Sequence, residues 1–167
     1  GLEYSKICAN KEIWCNIVKH LELRLKYQPA KMKKKRLEIE YSYDFDLIGI
    51  ISSAKGYKLA WDINKQLSTR LVKQPDLIVQ FKKDTEASFS HFSFANEVNT
   101  LRLFRNKPND SEVRNFLSPE YPHFDYIILI QGEDHGNSNR LQELLRDIPS
   151  IELVAFIPLD ALKSKDN

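Results

Sequence analysis

Apolar and polar residues alternate in several parts of the chain, and this period of two predicts β-strands. The first such segment contains Leu37, Ile39, Tyr41 and Tyr43 with polar residues between them. We predict six strands, at 37–43, 76–83, 88–95, 100–106, 124–130 and 151–157. Short polar turns separate the second, third and fourth segments, so we expect these three to form an antiparallel meander.

Other segments carry an apolar face at helical spacing, as Ile13, Ile17, Leu21 and Leu25 do. We predict helices at about 10–27, 46–54, 57–67, 111–117 and 138–148. The apolar run that opens the segment 46–54 fits a strand as well as a helix by pattern alone. Tyr57 and Trp61, four residues apart on a predicted helix, are expected in the core rather than as a stacking platform.

Together these elements predict an α+β fold. We expect one domain with a mostly antiparallel sheet of about six strands and helices packed on one face. The last strand, helix and strand form a C-terminal strand–helix–strand unit with connections of the right length for a crossover on one sheet. With 167 residues and 42% hydrophobic content, the chain is long enough to bury a core of this size.

The first 31 residues are predicted to be a helical N-terminal extension that need not be native, followed by a domain over residues 32–167. The chain begins with a glycine, as after tag removal, and its one methionine is Met32. The native start is therefore expected upstream or at Met32. If Met32 is the start, the extension should be dispensable.

The composition indicates a cytoplasmic protein without a cofactor or metal ion. The two cysteines, Cys8 and Cys15, are too far apart on a helix for a disulfide, and no cysteine or histidine set stands at zinc spacing. The sequence contains no signal peptide and no apolar stretch long enough for a membrane span, so we expect no membrane partner. The net charge of +2 is too small to indicate nucleic-acid binding by itself.

Candidate acid–base or ligand-binding groups cluster in the stretch LSPEYPHFDY, which contains Glu120, His123 and Asp125. We favour a structural role, because Pro119 and Pro122 bias the residues before them towards an extended approach to the strand. Asp125 stands at the strand start, where a carboxylate commonly accepts backbone N–H bonds. His135, in the acidic loop 132–138, is a second possible ligand-binding residue; the loop suits a divalent cation better than phosphate, and a solvated helix-capping role better still.

A basic run, Lys33, Lys34, Lys35 and Arg36, is a possible patch for phosphate groups. Arg102, Arg105 and Lys107 are candidates to extend it. Such a run is more often merely solvated.

The stretch from Ser118 to Tyr126 also resembles the motif I-P-E-x-x-x-V-D-Y of a family of small bacterial proteins, mostly from Bacteroidetes. Pro119, Glu120, Asp125 and Tyr126 match the motif, while Ser118 and Phe124 replace its isoleucine and valine. Further similarity lies in the lysine-rich segment after Met32, in 57–61 with Asn64, and in 162–165. The resemblance covers about residues 32–167 and implies no established activity, substrate or cofactor.

Taken together, these features favour a non-catalytic binding or interaction module whose partner is a protein or an RNA–protein assembly. The alternative is an enzyme, or a small-ligand or metal binder, that uses Glu120, His123 and Asp125. A homodimer formed through a strand edge or the N-terminal helix is a further possibility.

Overall fold

The computed structural model describes Trp14, Ile17 and residues 45–81, 85–110, 112–132 and 138–158. These residues form a single α+β domain with one six-stranded sheet and two helices. The elements in chain order are β1 (Phe45–Ile51), α1 (Gly56–Leu67), β2 (Val72–Phe81), β3 (Thr85–Ala95), β4 (Asn99–Arg105), β5 (Tyr126–Gly132), α2 (Asn139–Arg146) and β6 (Leu153–Ile157).

The sheet has the strand order β2-β3-β4-β5-β1-β6, and every neighbouring pair is antiparallel. This confirms the predicted antiparallel sheet and its meander. Because β5 and β6 are both antiparallel to β1, they run parallel to each other on either side of it. With α2 they form the predicted C-terminal strand–helix–strand unit.

The prediction of a helix at 46–54 was wrong, because these residues provide most of β1, an interior strand. Six of the seven residues of β1 are buried, so both faces of the strand are apolar and the alternation of a half-exposed strand is missing. Ile48, Ile50 and Ile51 are β-branched and favour the extended conformation. Strands β5 and β6 supply the hydrogen-bonding partners on its two sides.

A second predicted helix, at 111–117, was also wrong. The backbone N–H of Val113 donates to the carbonyl of Asp110 (3.0 Å), and the Asp110 carboxylate accepts from the N–H of Glu112 (3.0 Å). This is a single turn, and residues 113–116 have no regular structure. The predicted strand at 37–43 and all of the predicted helix at 10–27 except Trp14 and Ile17 lie outside the described residues.

The sheet buries a separate apolar cluster on each face. Helices α1 and α2 pack on one face, where Leu59, Ile63 and Leu145 meet Ile48 and Ile128. On the opposite face, Trp14 and Ile17, both helical and buried, belong to a cluster with strand residues and with the loop between β4 and β5.

Helices α1 and α2 cover only part of their face. Six strands at about 4.8 Å spacing span about 24 Å between the outer strand axes. Two helices of about 10 Å diameter together cover a narrower width than the six-stranded sheet has. Ile78, on the edge strand β2, is exposed on the part of the sheet that the two helices leave uncovered. A strip of sheet beside the start of α1 is therefore open.

Candidate functional site

A cavity of about 810 Å³ lies between the start of α1 and the open strip of the sheet. We call it the cationic cavity. It is lined by Ser52, Ser53, Ala54, Lys55, Gly56 and Tyr57, by Lys73, Ser90, Phe92, Leu103 and Arg105 of strands β2 to β4, and by Lys107, Asp125 and Tyr126. The lining thus combines an apolar floor with a polar and charged rim.

Four cationic side chains and one carboxylate face this cavity. Lys73 is paired with Asp76 (Nζ to Oδ1 3.0 Å), and Lys107 lies 3.6 Å from the carboxylate of Asp125. The ion pairs found among the described residues do not include Lys55 or Arg105. The cavity therefore has an excess of positive charge, and two of its cations are not neutralised by a carboxylate of the described chain.

Asp125 holds the loop that forms one wall of the cavity. Its carboxylate Oδ2 accepts a hydrogen bond from the backbone N–H of Ser52 (2.9 Å), and its own N–H donates to the carbonyl of Ile50 (2.8 Å). The hydroxyl of Ser52 then donates to the carbonyl of Ser150 (2.6 Å) and accepts from the N–H of Ala54 (3.1 Å). The predicted backbone-binding role of Asp125 is confirmed by this geometry.

Tyr126 also holds this loop in place, through its side-chain hydroxyl. Its hydroxyl donates to the carbonyl of Ala54 (2.7 Å), one residue before the N-cap of α1 at Lys55. Burial raises the pKa of Tyr126 above its ordinary value, the nearby Arg105 opposes this shift, and Asp125 adds to it. The phenol therefore stays protonated, as a donor to Ala54 requires. Asp125 and Tyr126 are thus positioning residues for the β1–α1 loop.

Helix α1 carries two exposed aromatic residues, Tyr57, which lines the cavity, and Trp61, which does not; they are 70% and 55% exposed. The expectation that they lie in the core was wrong, because α1 turns Leu59, Ala60 and Ile63 towards the sheet instead. The ammonium groups of two lysines on the same helix lie 5.4 and 4.4 Å from the Trp61 ring centroid, those of Lys58 and Lys65 respectively. Both distances are in the range of cation–π interactions.

The segment from Leu117 to Asp125, which we call the corner, consists of turns rather than an extended approach. The N–H of Tyr121 donates to the carbonyl of Ser118 (3.0 Å), and the N–H of Phe124 donates to that of Tyr121 (3.2 Å). Pro119 and Pro122 each occupy the second position of one of these turns, where the fixed φ of proline is favourable. The predicted extended conformation was therefore wrong, although β5 does begin at Tyr126.

Asn106, fully buried at the end of β4, organises the corner. Its side-chain amide donates to the carbonyls of Tyr121 and Phe124 (both 2.9 Å) and its Oδ1 accepts from the N–H of Ser118 (2.7 Å). Its backbone N–H donates to Asp125, and its carbonyl accepts from Leu117 (both 2.9 Å). Sequence reasoning missed this residue, and a lone asparagine after a predicted strand is only a weak turn signal.

Two apolar contacts complete the corner. The indole N–H of Trp14 donates to the hydroxyl of Ser118 (3.0 Å), and the Trp14 ring lies edge-on to Phe104 at 5.3 Å between centroids. The ring of Phe124 lies so close to Gly49 on β1 that a Cβ atom there would approach it to 2.4 Å. The corner is thus packed onto the sheet face opposite α1.

The structure separates the residues that the sequence grouped as candidates. Asp125 and Tyr126 line the cationic cavity, whereas Glu120 and His123 are exposed and are absent from its lining. Pro119 is exposed at its turn, and the ring of His123 lies 4.5 Å from that of Phe124. Within the described ranges no three histidine, cysteine, aspartate or glutamate side chains are grouped to hold a metal ion.

Of the basic candidates, Arg105 and Lys107 face the cationic cavity, while Arg102 is buried with 2% exposure and contributes nothing to a surface patch. His135 and the run Lys33, Lys34, Lys35 and Arg36 lie outside the described residues. Sequence reasoning missed Lys55 and Lys73, because the β1–α1 loop places Lys55 at the cavity and strand pairing brings Lys73 there from a distant position.

No protein-family model and no curated protein matches this chain. The helices in the described part of the chain include none long and apolar enough to cross a membrane.

Proposed function

We propose that this protein is a binding module and that its cationic cavity holds an anionic group of the partner. The observation that carries the proposal is the charge of the lining, where Lys55 and Arg105 have no carboxylate partner among the described residues. Cations in a concave, partly apolar site are less screened than those on an open surface, so they attract an anion more strongly.

The lining is also held in place before a ligand arrives, which supports a binding role. Asp125 and Tyr126 fix the β1–α1 loop by hydrogen bonds to Ser52 and Ala54. A preorganised loop loses little conformational entropy on binding, and this favours affinity. The proposed partner is a protein or an RNA–protein assembly in the cytoplasm, and membership of the family with the I-P-E-x-x-x-V-D-Y motif is proposed on the match at Pro119, Glu120, Asp125 and Tyr126.

The alternative of catalysis or metal binding by Glu120, His123 and Asp125 gains no support from the geometry. Of these three side chains only that of Asp125 faces the cavity, and its carboxylate is engaged with Ser52 and Lys107. Homodimer formation is a proposal that light scattering on the full chain tests.

Calorimetric titration of the full chain with pyrophosphate tests the proposed function. We expect saturable binding that weakens at least about tenfold in Lys55→Glu and in Arg105→Glu, since each reversal places a negative charge at the anion. Arg114→Glu is the matched control, because Arg114 is exposed near the corner and does not line the cavity. Absence of binding, or an equal loss in the control, would overturn the proposal.

A further inference from the structure

We infer that the anionic group is the phosphate backbone of a single-stranded nucleic acid, whose bases stack on Tyr57 and Trp61. This inference rests on the proposed function, because it assigns a chemical class to the ligand of the same cavity. Non-specific single-strand binding sites combine cationic side chains that follow the backbone with aromatic side chains on which bases stack. Both features are present here, since Tyr57 lines the cavity at the start of α1 and Trp61 follows it on the same helix.

The aromatic part of this surface is continuous with the cavity. Tyr57 lines the cationic cavity and is 70% exposed, and Trp61 follows one helical turn later with 55% exposure. The two residues are about 6 Å apart along the axis of α1, so neighbouring nucleotides of one strand can reach both rings. No hydrogen bond of either side chain ties it to the rest of the described chain, which leaves the rings available for stacking.

The charges around the rings favour a polyanion. Lys58 and Lys65 place their ammonium groups against the Trp61 ring, and they add to the four cationic side chains that line the cavity. Lys58 is also paired with Asp62 (3.0 Å), whereas Lys65 has no ion pair among the described residues. A base that stacks on Trp61 would displace a lysine from the ring, and that lysine would then lie next to the adjoining phosphate.

A single strand fits this arrangement better than the other polyanions. A duplex keeps its base faces inside the stack, so the exposed rings would have no role. An acidic peptide would satisfy the cations but would offer few planar groups for Tyr57 and Trp61. Stacking on open aromatic faces is sequence-tolerant, so we expect weak base preference and a strong dependence on salt.

Fluorescence anisotropy with a short labelled oligouridylate, an oligothymidylate of equal length and an abasic strand tests the inference. We expect Tyr57→Ala and Trp61→Ala each to weaken oligonucleotide binding about tenfold. Pyrophosphate binding should be unchanged in Trp61→Ala, because Trp61 does not line the cavity. Lys55→Glu should weaken both ligands. The abasic strand cannot stack on either ring, so it should bind the unaltered protein more weakly than the intact strand binds Tyr57→Ala or Trp61→Ala.

Phe156→Ala is the control variant, because Phe156 is an exposed aromatic residue (44%) on the edge strand β6, away from the cavity. If the abasic strand binds as tightly as the intact strands, or if the Tyr57 and Trp61 variants bind like the unaltered protein, the inference is wrong although pyrophosphate still binds. Loss of pyrophosphate binding itself would instead overturn the proposed function. Comparison of the oligouridylate with the oligothymidylate assigns the ligand to RNA or DNA.

Discussion

The corner and the cationic cavity lie on opposite faces of the sheet and meet at Asp125, yet they use their polar groups differently. In the corner, the buried amide of Asn106 binds backbone groups of Ser118, Tyr121 and Phe124, so its hydrogen-bonding capacity is used within the fold. In the cavity, Lys55 and Arg105 face solvent-accessible space without a carboxylate partner in the described chain. The corner therefore has a structural role, and the cavity is the surface that we expect to bind an anionic group.

The two tryptophans give the largest expected contrast in stability. Trp14 is fully buried, packs on Phe104 and binds Ser118, so Trp14→Ala should lower the free energy of unfolding by about 4 kcal/mol. Trp61 is 55% exposed, and Trp61→Ala should change the free energy of unfolding by less than about 1 kcal/mol. Urea unfolding of both variants measures the difference. Equal losses would show that Trp14 does not hold the corner to the sheet.

The burial of Trp14 also bears on the proposed N-terminal extension. A chain that starts at Met32 lacks the contacts of Trp14 with Phe104 and Ser118. We therefore expect such a chain to be destabilised at least as much as Trp14→Ala. A shortened chain with the full unfolding free energy would instead support a dispensable extension.

The amide of Asn106 should have the next largest effect. Asn106→Ala removes three side-chain hydrogen bonds and leaves buried backbone groups of the corner unsatisfied, so we expect a loss of about 3 kcal/mol. Asn109→Ala serves as the control, because Asn109 bonds exposed partners such as Asp76 and should cost about 1 kcal/mol or less. Denaturant unfolding distinguishes them, and a larger loss in Asn109→Ala would contradict this assignment.

The two glycines that border the corner and the cavity differ in the space around them. A Cβ at Gly49 would lie 2.4 Å from the Phe124 ring, so Gly49→Ala should displace the ring and cost about 2 kcal/mol. A Cβ at Gly56 meets Phe92 at 3.3 Å and the helix start tolerates alanine, so Gly56→Ala should change stability by about 0.5 kcal/mol or less. Thermal unfolding of the two variants measures this difference. Similar losses of stability in both would contradict it.

The hydroxyl of Tyr126 should contribute less to stability than Trp14, the Asn106 amide or the space at Gly49. Tyr126→Phe loses the bond to Ala54 and should cost about 1 kcal/mol, whereas the hydroxyl of Tyr121 has no partner in the described chain and Tyr121→Phe should be nearly neutral.

This contribution should also depend on pH. Because burial raises the pKa of Tyr126 above 10.0, its contribution is complete below that pH and is lost as pH rises through the folded-state pKa. The advantage of the unaltered protein over Tyr126→Phe in urea unfolding should therefore shrink above pH 10. An advantage that grows in that range would contradict the raised pKa.

Part of the sheet could be predicted from the sequence, because a half-buried strand such as β3 keeps a period of two. β1 could not, since an interior strand is apolar on both faces and resembles a buried helix segment. The helical face of Leu59 and Ile63 was correctly located, yet the same reasoning put Tyr57 in the core. The buried face of α1 is formed by Leu59, Ala60 and Ile63, and Tyr57 and Trp61 lie off that face although aromatic residues are usually buried.

Of the candidate site, the sequence indicated Asp125 and Tyr126 and, as candidate basic residues, Arg105 and Lys107. The cavity joins residues 52–57, Lys73, Arg105 and Lys107, which antiparallel pairing and the β1–α1 connection bring together from separate parts of the chain. No local pattern marks such a set. In the other direction, Glu120 and His123 are close to Asp125 in sequence, but the turns at Pro119 and Pro122 leave them exposed outside the cavity.

The most direct test of the division between corner and cavity compares two variants that each remove one negative charge from the motif. Asp125→Asn keeps an oxygen that accepts the Ser52 N–H and releases Lys107, 3.6 Å away, towards the cavity; Glu120→Gln changes an exposed residue outside it. We expect calorimetry to show pyrophosphate binding several-fold tighter in Asp125→Asn and unchanged in Glu120→Gln. Tighter binding in Glu120→Gln, with no change in Asp125→Asn, would contradict the assignment of the cavity as the binding site.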